Sequence, residues 1–261
     1  MNFSVYFKVI KFTFLTYLTY PLEIVSYIFK YVIRVLFLLA FWNVVFSSSP
    51  VTDNLNLVAY FLLATSVSDI NMADTGNLGR TIRKLVSRGG INQALVKPVN
   101  LVAFFYAQTL GSIGLKIALA FISLIVGLII SKPTSWVSIV LFIVFFIQSI
   151  AISFAYNLFE GALSLNFTEV SGIKNAMRHV TRVLSGQLVP LNFFPEAIKN
   201  ILLLTPIPIM VYSPVNALSQ NILNTEVYVQ IFIGLFWSIL LNILVYKYWL
   251  RSLKNYDAVG I

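Results

Sequence analysis

The sequence predicts an all-α integral membrane fold: six transmembrane helices, an N-terminal interfacial helix and a re-entrant outer hairpin between spans five and six. Composition is the first reason. Of 261 residues, 59% are hydrophobic and 10% are charged, whereas a soluble domain carries about a quarter charged residues to cover its surface. Block length is the second. Apolar runs of about 20 residues, each residue rising about 1.5 Å, match a hydrocarbon core about 30 Å thick. The alternating segments of about ten residues that build a membrane barrel are absent. Third, the basic residues lie between the apolar blocks, as cytoplasmic loops require.

Residues 1–20 place Phe3, Tyr6, Phe7, Ile10 and Phe14 at helical spacing around Lys8 and Lys11. That spacing predicts a helix lying in the membrane surface rather than the beginning of a longer first span. Span one is expected over residues 21–46, with Lys30 and Arg34 one turn apart and snorkelling towards the cytoplasmic headgroups. Trp42 near its far end suits the opposite interface. Span two is expected over residues 55–70, with Asp69 and Asp74 marking its exit. Residues 71–98 then form the longest polar stretch, with Arg80, Arg83, Lys84, Arg88 and Lys97 among Gly76, Gly79, Gly89 and Gly90. Five cations with no acid after Asp74 place this loop in the cytoplasm. Within it, Arg80, Arg83 and Lys84 share one face of a short helix, leaving Ile82, Leu85 and Val86 to pack elsewhere.

Residues 101–130 are apolar apart from a few polar positions, of which Gln108 and Lys116 are the most polar. A single centred span would hold Lys116 in mid-bilayer, at a cost of about 2.5–3.5 kcal/mol. An interfacial lead-in over residues 99–110 followed by span three over 111–131 avoids this. Span four is expected over residues 136–164, with Asn157 and Glu160 near its end requiring partners or water. Lys174, Arg178 and Arg182, spaced by four, form a second basic inner segment leading into span five near Val180. That span carries Ser185, Gly186 and Pro190, then Pro195, Pro206, Pro208 and Pro214. Proline breaks helices, and a broken backbone is tolerated at membrane depth only where protein or water satisfies it. Residues 195–214 are therefore expected to form the re-entrant outer segment. Span six covers residues 227–249, with Arg251 and Lys254 just beyond it. With both termini in the cytoplasm, every Lys and Arg but Lys132 and Lys199 falls on the inner side or at an inner helix end.

Several function classes are excluded. The chain has no cysteine, so disulfides, thiolate metal sites and cysteine nucleophiles do not arise. The net charge of +9 follows from topology rather than from nucleic-acid binding. A cleavable signal peptide is not expected, because the first apolar stretch runs too long and lacks a small-residue cleavage site. No Walker loop or nucleophile elbow occurs. His179 is the single histidine and is expected at headgroup level. Asp69 and Asp74 fall on different helical faces and do not make a paired-carboxylate site. The sequon Asn166-Phe167-Thr168 is expected on the cytoplasmic side, where it is inert. No catalytic, cofactor-binding or metal-binding residue is predicted.

Two stretches carry a resemblance. One is the end of the basic loop, Gly90-Ile91-Asn92-Gln93-Ala94-Leu95-Val96-Lys97-Pro98. The other is Leu184-Ser185-Gly186-Gln187-Leu188-Val189-Pro190-Leu191-Asn192-Phe193-Phe194-Pro195, followed by the proline-rich run to Pro214. With the N-terminal surface helix and six spans, they resemble the membrane-spanning permease subunit of type-two ABC exporters. The narrower likeness is to the bacterial six-span branch whose ATP-binding subunit is a separate polypeptide. The resemblance covers nearly the whole chain, and the order of features carries it more than either motif.

The resemblance implies that residues 1–261 form a single permease domain in a bacterial plasma membrane. It would pair with a second copy or a homologous permease, contact membrane lipid, and be driven by a separate ATP-binding cassette subunit. ATP would bind that partner, with no cofactor on this chain. Coupling to the ATPase would involve Gly79, Arg80, Arg83, Lys84, Leu95, Lys97 and Pro98. The outer gate would involve Ser185, Gly186, Pro190 and Pro195. Two other readings stand beside it: a membrane-embedded enzyme acting on lipid, which needs convergent titratable groups, and a structural membrane subunit that transports nothing.

Overall fold

A computed structural model of the chain describes residues 3–47, 57–71, 77–87, 99–132, 135–167, 171–219 and 225–255. The regular structure among them is helical: eleven α-helices and two 3-10 turns. Three of these helices are long and apolar enough to cross a membrane: Gly114–Ser131, Trp136–Asn166 and Val227–Lys254, the last being most of a helix that begins at Thr225.

The chain opens with α1 (Phe3–Leu18) and α2 (Pro21–Ser47). They are separate helices, broken at Thr19 and Tyr20 just before Pro21, a residue suited to the first helical position. Instead of continuing into α2, α1 lies along α5 (Leu101–Ser112). There the Tyr6 hydroxyl accepts the Asn100 amide at 3.2 Å. Gly111 lets the two backbones approach, since a Cβ there would stand 2.6 Å from the Ile10 carbonyl oxygen. Tyr6, Ile10 and Phe14 face partly inward, whereas Phe7 is exposed.

The next helices are α3 (Leu57–Ile70) and the amphipathic α4 (Asn77–Ser87). After α5 the chain breaks at Ile113 and continues as α6 (Gly114–Ser131), close to the boundary expected between lead-in and span. Lys116 stands in the first turn of α6. The turn after α6 places Lys132 at φ 44, and Trp136 then opens the 31-residue α7 (Trp136–Asn166).

The segment expected to open a fifth span near Val180 is organised differently. Helix α8 (Ser171–Leu184) begins earlier and stops at Leu184. Gly186 adopts φ +84, a conformation that ends helices and suits glycine. The chain then proceeds in short pieces: a 3-10 turn (Leu191–Phe193), α9 (Glu196–Leu203), a second turn (Pro208–Met210) and α10 (Tyr212–Ser219). Pro195, Pro206 and Pro208 punctuate them, and Pro214 sits in the first turn of α10, where proline is tolerated. Helix α11 (Thr225–Lys254) completes the described chain.

Helix α7 is the centre of the fold. On one face, Ser149, Ser153, Asn157, Glu160 and Ser164 recur every three to four residues, and these and the neighbouring Gln148 are buried. Asn242 of α11 donates to the Ala151 carbonyl at 2.9 Å, and the Gln148 amide donates to the Ile231 carbonyl at 3.0 Å. Two apolar clusters flank this axis. One joins Tyr60, Phe61 and Leu63 of α3 to Val211, Tyr212 and Val215. The other joins Leu78 and Ile82 of α4 to Phe105, Leu158 and Trp249. Lipid-like surroundings provide little hydrophobic drive between helices, so close packing and interhelical hydrogen bonds hold such assemblies.

Candidate functional site: the seat of the basic helix and the glycine turn

Helix α4 is amphipathic because its apolar residues recur at i and i+4: Leu78 and Ile82 are fully buried against α7 and α5. Lys84 is exposed and Arg83 half-buried. Gly79, expected among the coupling residues, faces inward. A Cβ there would lie 2.9 Å from Glu160 Cβ and 3.1 Å from both Glu160 Oε2 and Lys174 Nζ. One turn further on, Ile82 Cδ1 occupies the space where Gly161 would carry a side chain. The Arg80 side chain and residues Leu95, Lys97 and Pro98 lie outside the described portion.

Beneath Gly79, Lys174 Nζ stands 3.8 Å from Glu160 Oε2, and both side chains are buried. The sequence placed Lys174, Arg178 and Arg182 on one helical face, and α8 does hold all three. It did not reveal that the first of them turns inward to meet Glu160. His179, on the opposite side of α8, is exposed.

The residues expected at an outer gate lie in a second, tightly bonded region. The Ser185 carbonyl accepts the Tyr212 amide at 2.9 Å, and the Gly186 carbonyl accepts the Tyr60 hydroxyl at 2.6 Å. A Cβ on Gly186 would stand 2.9 Å from both Tyr212 Cβ and Tyr60 Oη. Gln187 donates to Ser68 Oγ at 2.8 Å. Pro190 is buried and Pro195 exposed. Further along, the Asn71 amide donates to Met210 O at 2.6 Å and to Ser149 Oγ at 2.5 Å, and Ser149 Oγ donates to Met210 O at 2.6 Å. The proline-rich turn thus reaches the middle of α7. Tyr60, Ser68, Asn71 and Ser149 were not singled out from the sequence; the only signal was their polarity within, or in the case of Asn71 just after, otherwise apolar helices.

A third polar contact joins α2 to α3. Arg34 Nη2 and Nη1 approach the two Asp69 carboxylate oxygens at 2.5 and 3.4 Å. Arg34 also lies 5.2 Å from the centre of the Tyr31 ring, and Lys116 lies 4.8 Å from that of Tyr27. Arg34 therefore turns to a carboxylate, where snorkelling to headgroups was expected. Asp74 lies outside the described residues. Among the described residues, no group of three or more His, Asp or Glu side chains is placed to hold a metal ion.

No curated relative matches the chain. Residues 32–260 match the family described as ABC-2 family transporter protein, so the match takes in α4, the glycine turn and every helix from the latter part of α2 to α11. On that extent the chain belongs to the ABC-2 transporter family, as a membrane permease component.

Proposed function

We propose that this permease is the substrate pathway of an ATP-binding cassette exporter, working as a dimer and driven by a separate ATP-binding subunit that docks on α4. The observation that carries the reading is the seating of α4. Its apolar face is keyed into α7 at Gly79 and Gly161, while Lys84 is exposed beside Arg83. A helix held from within and charged without is suited to receive a push from a soluble partner. The basic segment continuing to Pro98 belongs to the same docking region.

In this reading the chain crosses the membrane six times. The crossings are α2, α3, α6, α7, α11 and, as the fifth, the segment from Val180 through the glycine turn. Helix α1 lies in the interface, and residues 195–214 re-enter from the outer side. The bonds from Tyr60 to the Gly186 carbonyl and from Asn71 and Ser149 to the Met210 carbonyl support the broken backbone, as membrane depth demands. Ser185, Gly186, Pro190 and Pro195 form the outer gate. Both termini face the cytoplasm of a bacterium, since the cations cluster at those helix ends. Nucleotide energy enters on the partner, and this chain contributes two alternative packings of the pathway.

Co-purification tests the reading. A tagged chain in mild detergent should recover a subunit bearing a Walker loop, and Arg83→Glu with Lys84→Glu should abolish that recovery while leaving the permease folded. Failure of the unaltered chain to recover any such subunit overturns it.

A further inference from the structure

The Glu160–Lys174 pair joins the end of α7 to the start of α8. Glu160 lies in the last two turns of α7, and Lys174 lies in the first turn of α8. The helix dipole acts within the terminal turn, so it disfavours the cation Lys174 at the start of α8, which the facing Glu160 carboxylate offsets. The two charges face each other at 3.8 Å, and both side chains are buried.

Helix α4 covers this pair with the one residue that fits. At Gly79 any Cβ would press on Glu160 Cβ, Glu160 Oε2 and Lys174 Nζ at once. One turn on, Ile82 fills the space above Gly161. Helix α4 is thus keyed to α7 and α8 together, and α8 runs directly into the Ser185–Gln187 turn that Tyr60, Ser68 and Tyr212 grip.

We propose that Glu160 and Lys174 are positioning residues for energy coupling. The pair makes α4, the C-terminal end of α7 and α8 move as one body, so that displacement of α4 reaches the glycine turn. This rests on the reading of α4 as the docking helix.

The chain lacks cysteine, so spin labels can be placed singly or in pairs without removing native thiols. In the complex with its ATP-binding subunit, labels at Thr81→Cys in α4 and His179→Cys in α8 report the linkage. Labels at Thr81→Cys and Lys254→Cys report motion of α4 relative to α11. On adding ATP and vanadate, the 81–254 distance should shift while the 81–179 distance stays a single population. Glu160→Gln and Gly79→Ala should split the 81–179 distance into two populations. The exchange Glu160→Lys with Lys174→Glu should restore one, because opposite charges again face each other across the two helices. Unchanged distances in Glu160→Gln and Gly79→Ala overturn the proposal. So does a split that the charge exchange fails to repair, since that marks a merely structural pair. If the 81–254 distance ignores nucleotide in the unaltered complex, the docking reading itself fails, and this inference with it.

Discussion

Asp69 and Arg34, 35 residues apart on adjacent helices, form a forked ion pair in which the carboxylate is almost wholly buried and the guanidinium is 30% exposed. The fork geometry matches two N–H donors to two carboxylate oxygens, which a lysine cannot reproduce. Removing one member of a buried pair costs about 3–5 kcal/mol because the other charge is left uncompensated. With Arg34 partly exposed, Asp69→Asn should cost nearer the lower end. Thermal unfolding in detergent should show the double variant Arg34→Met with Asp69→Leu to be more stable than Asp69→Asn alone. Arg34→Lys should fall between the original chain and Asp69→Asn.

Gly186→Ala should be strongly destabilising. Its φ of +84 disfavours any side chain by about 1–2 kcal/mol, and the added Cβ would also press on Tyr212 and Tyr60 at 2.9 Å. Gly172→Ala serves as the control, because nothing lies within 4 Å of its added Cβ. It should change the melting temperature little.

Tyr60→Phe removes the donor to the Gly186 carbonyl and should cost about 0.5–1.5 kcal/mol, the usual net worth of one hydrogen bond. Asn71→Ala should cost more, since it removes bonds to both Met210 O and Ser149 Oγ. Amide hydrogen exchange should then show faster opening around residues 208–212 in Asn71→Ala, and around residues 185–188 in Tyr60→Phe.

Ile82 and Gly161 should be coupled. Gly161→Ala alone overpacks the seat of α4, a class of change costing about 1–3 kcal/mol. Ile82→Val removes the atom it would strike and should return part of that loss when the two are combined. A double-mutant cycle on thermal stability reads the coupling directly. Additive effects would show that α4 does not rest on α7 through this contact.

The sequence exposed much of this architecture because its signals are local. The break between α5 and α6 at Ile113 follows from where Lys116 can be held. The separation of α1 from α2 follows from Pro21, and the short pieces after Leu184 follow from Gly186 and the prolines. The start of α8 was less legible. Its residues are too polar for an apolar block, and they form a helix from Ser171 because Leu184, Thr181 and Lys174 pack inward along one face.

By itself, the sequence determined the helical class, the breaks and which segments are charged, since chain stiffness, block length and the missing proline donor act between near neighbours. Only the tertiary structure decided which polar groups meet. Tyr60 and Gly186 are 126 residues apart, and a helical period states the face a residue occupies but not what packs against it. The same holds for Asp69, Glu160 and Lys174. Each was visible as a charge in or beside an apolar helix, and its partner was chosen by the packing of α3, α7 and α8, where an unsatisfied charge would be too costly to leave alone.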